Sequence, residues 1–452
     1  MIGLVSDPAD LGVRDAAAAL SERSLSSREL VEACLARIRE RDGTHSFDGD
    51  PGSVNAWVRV YEEDALVAAD RADELLARED PSPLCGIPIG LKDLYAAAGK
   101  PLTASSRVLD EVPERDCDAW ARLAAEGMVL LGHVHTHEFA AGGTTDQVGN
   151  PWALDRSVGG SSGGSAAALA SRTVPAATGT DTAGSVRIPS AMCGTSAIKP
   201  TLNLVSIRGI VPLSPTLDHA GPMARTVGDC EPLLAAMAGV IPPATRRTLR
   251  RVVVSPRIAD LDPDVADGLD GALETLRRLG AERVEPPAPP APLDLGPDHP
   301  EVLCCEMLVY HRRFDDRREL YRPSIRGFLE YAEQRALTGE EYVAAQNRRT
   351  DASAIWTDWF AEHEIDAVVE PTVPIVARTR GHGYDEAFTD DAEISLTHYW
   401  NWVGFPVVAL PSGVGRRSGL PVSVSLIGPP GSDWDLLAAG AALEDELGPV
   451  TP

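Results

Sequence analysis

The chain has 452 residues, with 67 acidic against 41 basic side chains and a formal net charge of −26. Hydrophobic residues make up 44% and charged residues 24%, the balance of a globular protein long enough to bury a large core. The acidic excess excludes a nucleic-acid grip, which needs a basic patch, and docking on an anionic lipid surface. In chain order, residues 10–40 read as largely helical. Ser26 and Ser27 stand ahead of Leu30, Val31, Cys34, Leu35 and Ile38, which recur at helical spacing behind a serine cap. A Gly/Asp/Pro loop, 42–52, separates these from a further helix over 62–79.

From residue 84 short apolar runs alternate with helical patterns, which argues for α/β architecture. Strands are expected at Gly86–Leu91, Met128–Gly132 and Val174–Thr178, with a helix at 165–171, and again at Arg251–Val254 and Ala367–Val369. Seven prolines between Glu285 and Pro300 predict an extended connection, followed by a mainly helical stretch over 301–362. The opening Met1–Pro8 shows neither the basic nor the apolar region of a leader, and no run approaches the roughly 18 apolar residues of a membrane span. Seven irregularly spaced cysteines without a CxxC read as reduced thiols, and a cytoplasmic location is expected.

One segment carries chemistry. Val158-Gly159-Gly160-Ser161-Ser162-Gly163-Gly164-Ser165 leads into an alanine-rich helix, and Gly179-Thr180-Asp181-Thr182-Ala183-Gly184-Ser185-Val186-Arg187 follows. Three readings compete: a flexible linker, a phosphate loop, and a nucleophile turn. The linker conflicts with the apolar elements close on either side. The phosphate loop lacks both GxxxxGK[ST] and GxGxxG. In the third, Ser185 sits at a helix start, and the N–H groups of Thr182, Ala183 and Gly184 cluster to hold an oxyanion. A serine nucleophile needs a base, and no histidine lies in these turns. Lys92, ending the run Gly86–Leu91, serves if burial lowers its pKa; otherwise it is a strand-end surface lysine.

These residues resemble the amidase signature family, the Ser-cisSer-Lys hydrolases, over nearly the whole chain. The densest blocks are Gly159–Ser165, Gly179–Ser185 and Ile198-Lys199-Pro200-Thr201. Similar too are Gly86–Asp93, Glu138–Asp146, Asn150-Pro151-Trp152, Pro215–Arg225 and Gly419–Gly428. The resemblance implies Lys92 as general base, Ser161 as the cis-peptide serine and Ser185 as nucleophile, 24 residues further on. It implies backbone N–H groups at Thr182, Ala183, Gly184 and Ser185 as oxyanion donors, with Ser162, Asp181 and Arg187 in support. Departures are Ala183 where glycine is frequent, Val158 where proline is frequent, and Leu202–Arg208 where many members read Tyr-Gly-Arg. The implied fold is a mixed central sheet flanked by helices on both faces. A helical region over 1–80 precedes the amidase domain over 81–452, which holds a variable insertion at about 300–362. The implied activity is hydrolysis of a carboxamide C–N bond through an acyl-enzyme, with esters or carbamates (urethanase-like action) sharing the intermediate, and without metal or organic cofactor. Two rivals are an amidotransferase component inside a complex and a non-catalytic binding protein on the same scaffold. A small-molecule substrate is expected, with neither nucleic acid nor membrane as partner, and a monomer or homodimer.

Four further features have blander readings. His133, His135 and His137 alternate along one strand face as a metal comb would, yet no further ligand joins them, so a strand entering the site loop is preferred. Asp93 reads either as a neighbour of Lys92 in one hydrogen-bond network or as an exposed carboxylate. Cys193 and the pair Cys304-Cys305 read as packing thiols. The aromatic run from His398 to Trp402 reads as core before cavity lining.

Overall fold

The apolar runs assemble into one mixed sheet. In the computed structural model, which describes residues 7–78, 81–288, 298–335, 337–381 and 392–452, eleven strands are described. They are β1 (Trp57–Val60), β2 (Pro88–Lys92), β3 (Val129–Val134), β4 (Ala176–Asp181), β5 (Ser196–Lys199), β6 (His219–Ala224), β7 (Arg251–Val254), β8 (Glu282–Arg283), β9 (Ala367–Pro371), β10 (Val407–Val414) and β11 (Pro421–Ile427). Their spatial order is β1-β3-β2-β4-β6-β5-β10-β11-β9-β7-β8. β2 runs parallel to β3 and β4, whereas β4, β6, β5, β10, β11 and β9 pair antiparallel in succession. Every residue of β2 and β4 is buried, as expected of strands covered by helices on both faces.

The helix read from Ser26 onward spans Ser27–Arg41. Ser26 and Glu29 close a reciprocal capping box, and the five apolar residues named for it are all buried. The helices Val13–Ser21, Ser27–Arg41 and Glu62–Leu76 pack into the same hydrophobic cluster as the sheet, and β1 pairs with β3. Two boundaries move. β4 runs on to Asp181 because β6 zips alongside it from Ala176 to Asp181. The expected extended connection ends before Pro300: a helix covers Asp298–His311, and proline is tolerated in its first turn, where no intrahelical donor is needed. Residues 289–297, which hold Pro289, Pro290, Pro292 and Pro297, lie outside the described residues. The stretch beyond is helical as expected, with Pro323–Gln334 and Gly339–Glu362 following a 3-10 segment, Arg312–Leu320.

Parallel neighbours end on the same edge. The carboxyl ends of β2 and β4 therefore emerge together, bringing Lys92 beside the segment Thr180–Asp181. That is where open α/β sheets place their ligands.

Candidate active site

Lys92 is completely buried at the end of β2. Its Nζ lies 2.7 Å from Ser161 Oγ, 2.8 Å from Ser162 Oγ and 2.8 Å from Thr180 Oγ1. All three partners are hydroxyls. Burial pushes the amine well below its ordinary pKa, outweighing the opposing pull of Asp181 and Asp218. An ammonium here donates to all three; a neutral amine donates to two and accepts from the third.

The serines sit on a braced loop. The Gly160–Ser161 peptide bond is cis. The Ser161 carbonyl accepts from His137 N–H at 2.9 Å and from Thr145 Oγ1 at 3.2 Å. Ser162 N–H donates to the Ser185 carbonyl at 3.1 Å, tying the two glycine-rich turns together.

The turn before Ser185 is fixed peptide by peptide. A trans peptide aims its C=O and the following N–H in opposite directions, so anchoring each carbonyl orients the next N–H. Asn401 Nδ2 donates to the Asp181 carbonyl at 2.9 Å, His299 Nε2 to the Thr182 carbonyl at 3.2 Å, and Thr397 Oγ1 to the Ala183 carbonyl at 2.5 Å. Thr182, Ala183 and Ser185 border a cavity of about 550 Å³. The Gly184 N–H, expected as an oxyanion donor, is instead taken by Asp181 Oδ1 at 2.7 Å. Gly184 has φ +135°, and a Cβ there meets Thr397 Oγ1 at 2.3 Å, so the turn requires glycine. Ala183, half-buried on the cavity side, leaves room for its methyl.

Asp181 and Arg187, expected in support, pair behind the turn. Arg187 Nε and Nη2 each donate to Asp181 at 2.9 Å, a bidentate clasp. Burial alone raises a carboxyl pKa, but the guanidinium overcomes this and holds Asp181 well below the usual range. Arg187 also donates to Asn401 Oδ1 at 2.6 Å and to the Thr397 carbonyl at 3.0 Å, so the pair reaches the segment at 397–401.

Asp93 also departs from expectation. It is buried, yet it turns away from Lys92 and accepts from Thr103 Oγ1 at 2.5 Å and Ser105 N–H at 2.7 Å. The three histidines of β3 and its extension each have separate neighbours: His133 binds Tyr61 and the Tyr95 carbonyl, His135 meets Ser105, and His137 Nδ1 meets the Thr144 carbonyl. Among the described residues no three His, Cys, Asp or Glu side chains converge as a metal site. Cys193 and Cys304 are buried and Cys305 is partly so. The aromatic run is a short helix, His398–Trp402, whose two tryptophans and tyrosine are core while His398 faces the cavity.

Several residues about the turn were not singled out from sequence. Thr180 is the third partner of Lys92. Asp218 accepts Thr182 Oγ1 at 2.5 Å and the N–H groups of Leu213 and Ser214; burial pushes it up to about 7. His299 comes from the helix after the proline-rich stretch, and Thr397 and Asn401 come from the aromatic run and its threshold. Thr180 and Asn401 lay inside stretches already marked by composition, and Asp218 inside a block marked by the family resemblance; His299 and Thr397 did not.

The chain belongs to the amidase family: a family model described as Amidase matches residues 29–437. The A component of a glutamyl-tRNA(Gln) amidotransferase, from Anaeromyxobacter dehalogenans (strain 2CP-C), is 35% identical over 488 aligned positions, covering 97% of each chain. A solved 6-aminohexanoate cyclic dimer hydrolase superposes with a TM-score of 0.84 at 27% identity, covering 98% of this chain and 97% of that one. A peptide amidase from Stenotrophomonas maltophilia superposes with a TM-score of 0.79 at 26% identity, covering 97% of both. The mixed sheet with helices on both faces is the fold of these enzymes, as the sequence resemblance implied. No described helix is long and apolar enough to cross a membrane.

Proposed function

We propose that this chain hydrolyses carboxamides through an acyl-enzyme on Ser185, with Lys92 as base and Ser161 as proton bridge. The observation that carries the reading is the Lys92 amine, buried among three hydroxyls within 2.8 Å, beside a turn whose free N–H groups border a cavity. In such surroundings the neutral amine is favoured, and its lone pair takes the Ser161 proton as Ser161 takes the Ser185 proton. Ser185 Oγ attacks the carbonyl carbon, and the displaced electron pair settles on oxygen, held by the N–H groups of Thr182 and Ala183. When the intermediate collapses, the C–N bond breaks and its pair stays on nitrogen, which receives the proton back through Ser161. Water then attacks the acyl ester along the same path, restores Ser185–H and releases the acid. The balance is amide plus water to acid plus amine. Asp181 and Arg187 are positioning residues here: neither reaches the reacting atoms, and together they hold the turn before Ser185, whereas Ser162 touches the Lys92 amine directly and tunes it.

A second reading, catalysis that passes ammonia onward within a multi-chain complex, is favoured by the 35% identity to an amidotransferase component. Intact-mass measurement after exposure to a fluorophosphonate, with Ser185→Ala as control, tests the first. One adduct on the wild type and none on the variant is expected. An unlabelled wild type that also leaves every small amide, ester and carbamate untouched would overturn it and leave the scaffold reading. Amine release by the purified chain alone separates a free-standing hydrolase from a component of a complex.

A further inference from the structure

We infer that the site selects uncharged amides with an apolar acyl group and rejects those carrying a carboxylate. The inference rests on the hydrolase reading and deepens it. The cavity at Ser185 holds about 550 Å³, room for a drug-sized substrate. Its walls are apolar at Leu213, Leu303, Phe328 and Ile394, and no Lys, Arg, Asp or Glu lines it among the described residues. One of its imidazoles, His299, supplies no cation. His299 is buried, spends its Nε2–H on the Thr182 carbonyl, and is kept neutral by burial, which lowers it to about 3. His398 spends Nδ1–H on the Ile394 carbonyl at 2.7 Å.

The ionisable groups just behind the wall are acids, which offer an anion no attraction. Asp218 lies against Thr182, and Glu306 accepts from Ser214 and Thr216 beside it. A carboxylate oxygen of Glu393 stands 3.6 Å from where a Cβ on Gly143 would be, and Gly143 is part of the cavity wall. A substrate carboxylate therefore loses its water and meets no lysine or arginine among the described lining residues, while an alkyl or aryl chain gains apolar contact at roughly 0.8 kcal/mol per buried CH₂.

The test uses a matched pair, hexanamide and adipamic acid, which share a six-carbon acyl chain and differ in a terminal carboxylate. At pH 7.5, kcat/KM for hexanamide is expected to exceed that for adipamate by roughly 100-fold or more, since an unpaired buried charge costs several kcal/mol. Leu303→Arg places a cation in the wall and is expected to shrink that ratio at least tenfold. Phe328→Lys tests the same point from another helix if the first variant fails to fold. A wild-type ratio near one, or an adipamate preference, with Ser185 still labelled by the fluorophosphonate, overturns this inference and leaves the hydrolase reading standing. No labelling and no turnover of either amide overturns both.

Discussion

Arg187 shows most directly what one side chain does at this site. It is buried with Asp181, and neither is exposed by more than 1% at the side chain. Removing one member of such a pair strands a charge away from water, at a cost of about 3–5 kcal/mol. Arg187→Ala is therefore expected to lose about that much stability in denaturant unfolding, and to lose activity as well, because Asp181 then no longer holds Gly184 and Val186. An Arg187→Ala protein as stable as the wild type would show that the clasp does not organise the turn. Lys92 makes a prediction about pH. As base it must be neutral, so kcat/KM should fall as pH drops through its lowered pKa and stay level above it. Replacing Ser162 by Ala removes one hydroxyl from the amine while leaving the Ser161 bridge. The acid limb should then move, because a group that stabilises one charge state of Lys92 has gone. An unmoved limb would mean that the titration belongs to another residue.

At the scale of elements, the helix Asp298–His311 does what a motif cannot. His299, Leu303 and Glu306 stand at i, i+4 and i+7, one stripe facing the site. His299 anchors the Thr182 carbonyl, Leu303 lines the cavity, and Glu306 holds the loop that presents Asp218. His299→Ala should lower kcat on the order of 10–100-fold and change KM less, because it frees the Ala183 N–H from its orientation. His299→Gln, which can offer an N–H to the same carbonyl, should recover part of the loss. Equal losses in both variants, or a loss confined to KM, would count against an orienting role.

The same helix explains where sequence reading stopped. The strands β2, β3 and β9 were legible because contiguous apolar runs suit a strand buried on both faces. β4 was read short because Gly179, Thr180 and Asp181 look like a turn, and only the pairing with β6 makes them strand. The segment around Ser185, and Lys92, stood out because glycine, serine and a strand-end lysine are unusual company, whereas the part given to Ser161 came only with the family resemblance. His299 was not: it lies 117 residues from Thr182, inside a proline-rich composition, and its role exists only once the chain has folded. Gly184 was misread for a related reason. Its N–H looked free from spacing, while the carboxylate that takes it depends on the Arg187 clasp.

Over the whole molecule, buried titratable groups set two opposing trends in stability. Burial lowers His135 and His299 to about 3 and His137 and His311 to about 4, and it lowers His133 and His219 as well. For these the unfolded chain takes up protons from about pH 6.5 and the folded chain does not, so their contribution is lost as pH falls from there toward the folded values. Burial raises Asp218 and Glu444 to about 7, and also raises Asp93, Glu138 and Glu370. For these the folded chain holds the extra proton. Their contribution is complete below the unfolded pKa near 4 and is lost as pH rises through the folded pKa. Between about pH 7 and 5 the two sets work against each other. Below about pH 4 the carboxyls are protonated in both states and stop helping, while the histidines continue to cost. Asp181, held low by Arg187, then adds its own loss. Thermal midpoints followed by circular dichroism should therefore stay nearly level from pH 7 to 5 and fall steeply below about 4.5. The double variant Asp218→Asn, Glu444→Gln removes much of the opposing set, so its decline should begin near pH 6.5. A wild-type midpoint that already falls steadily from pH 7, or a double variant with an unchanged profile, would show that the buried carboxyls do not hold protons in the folded protein at neutral pH.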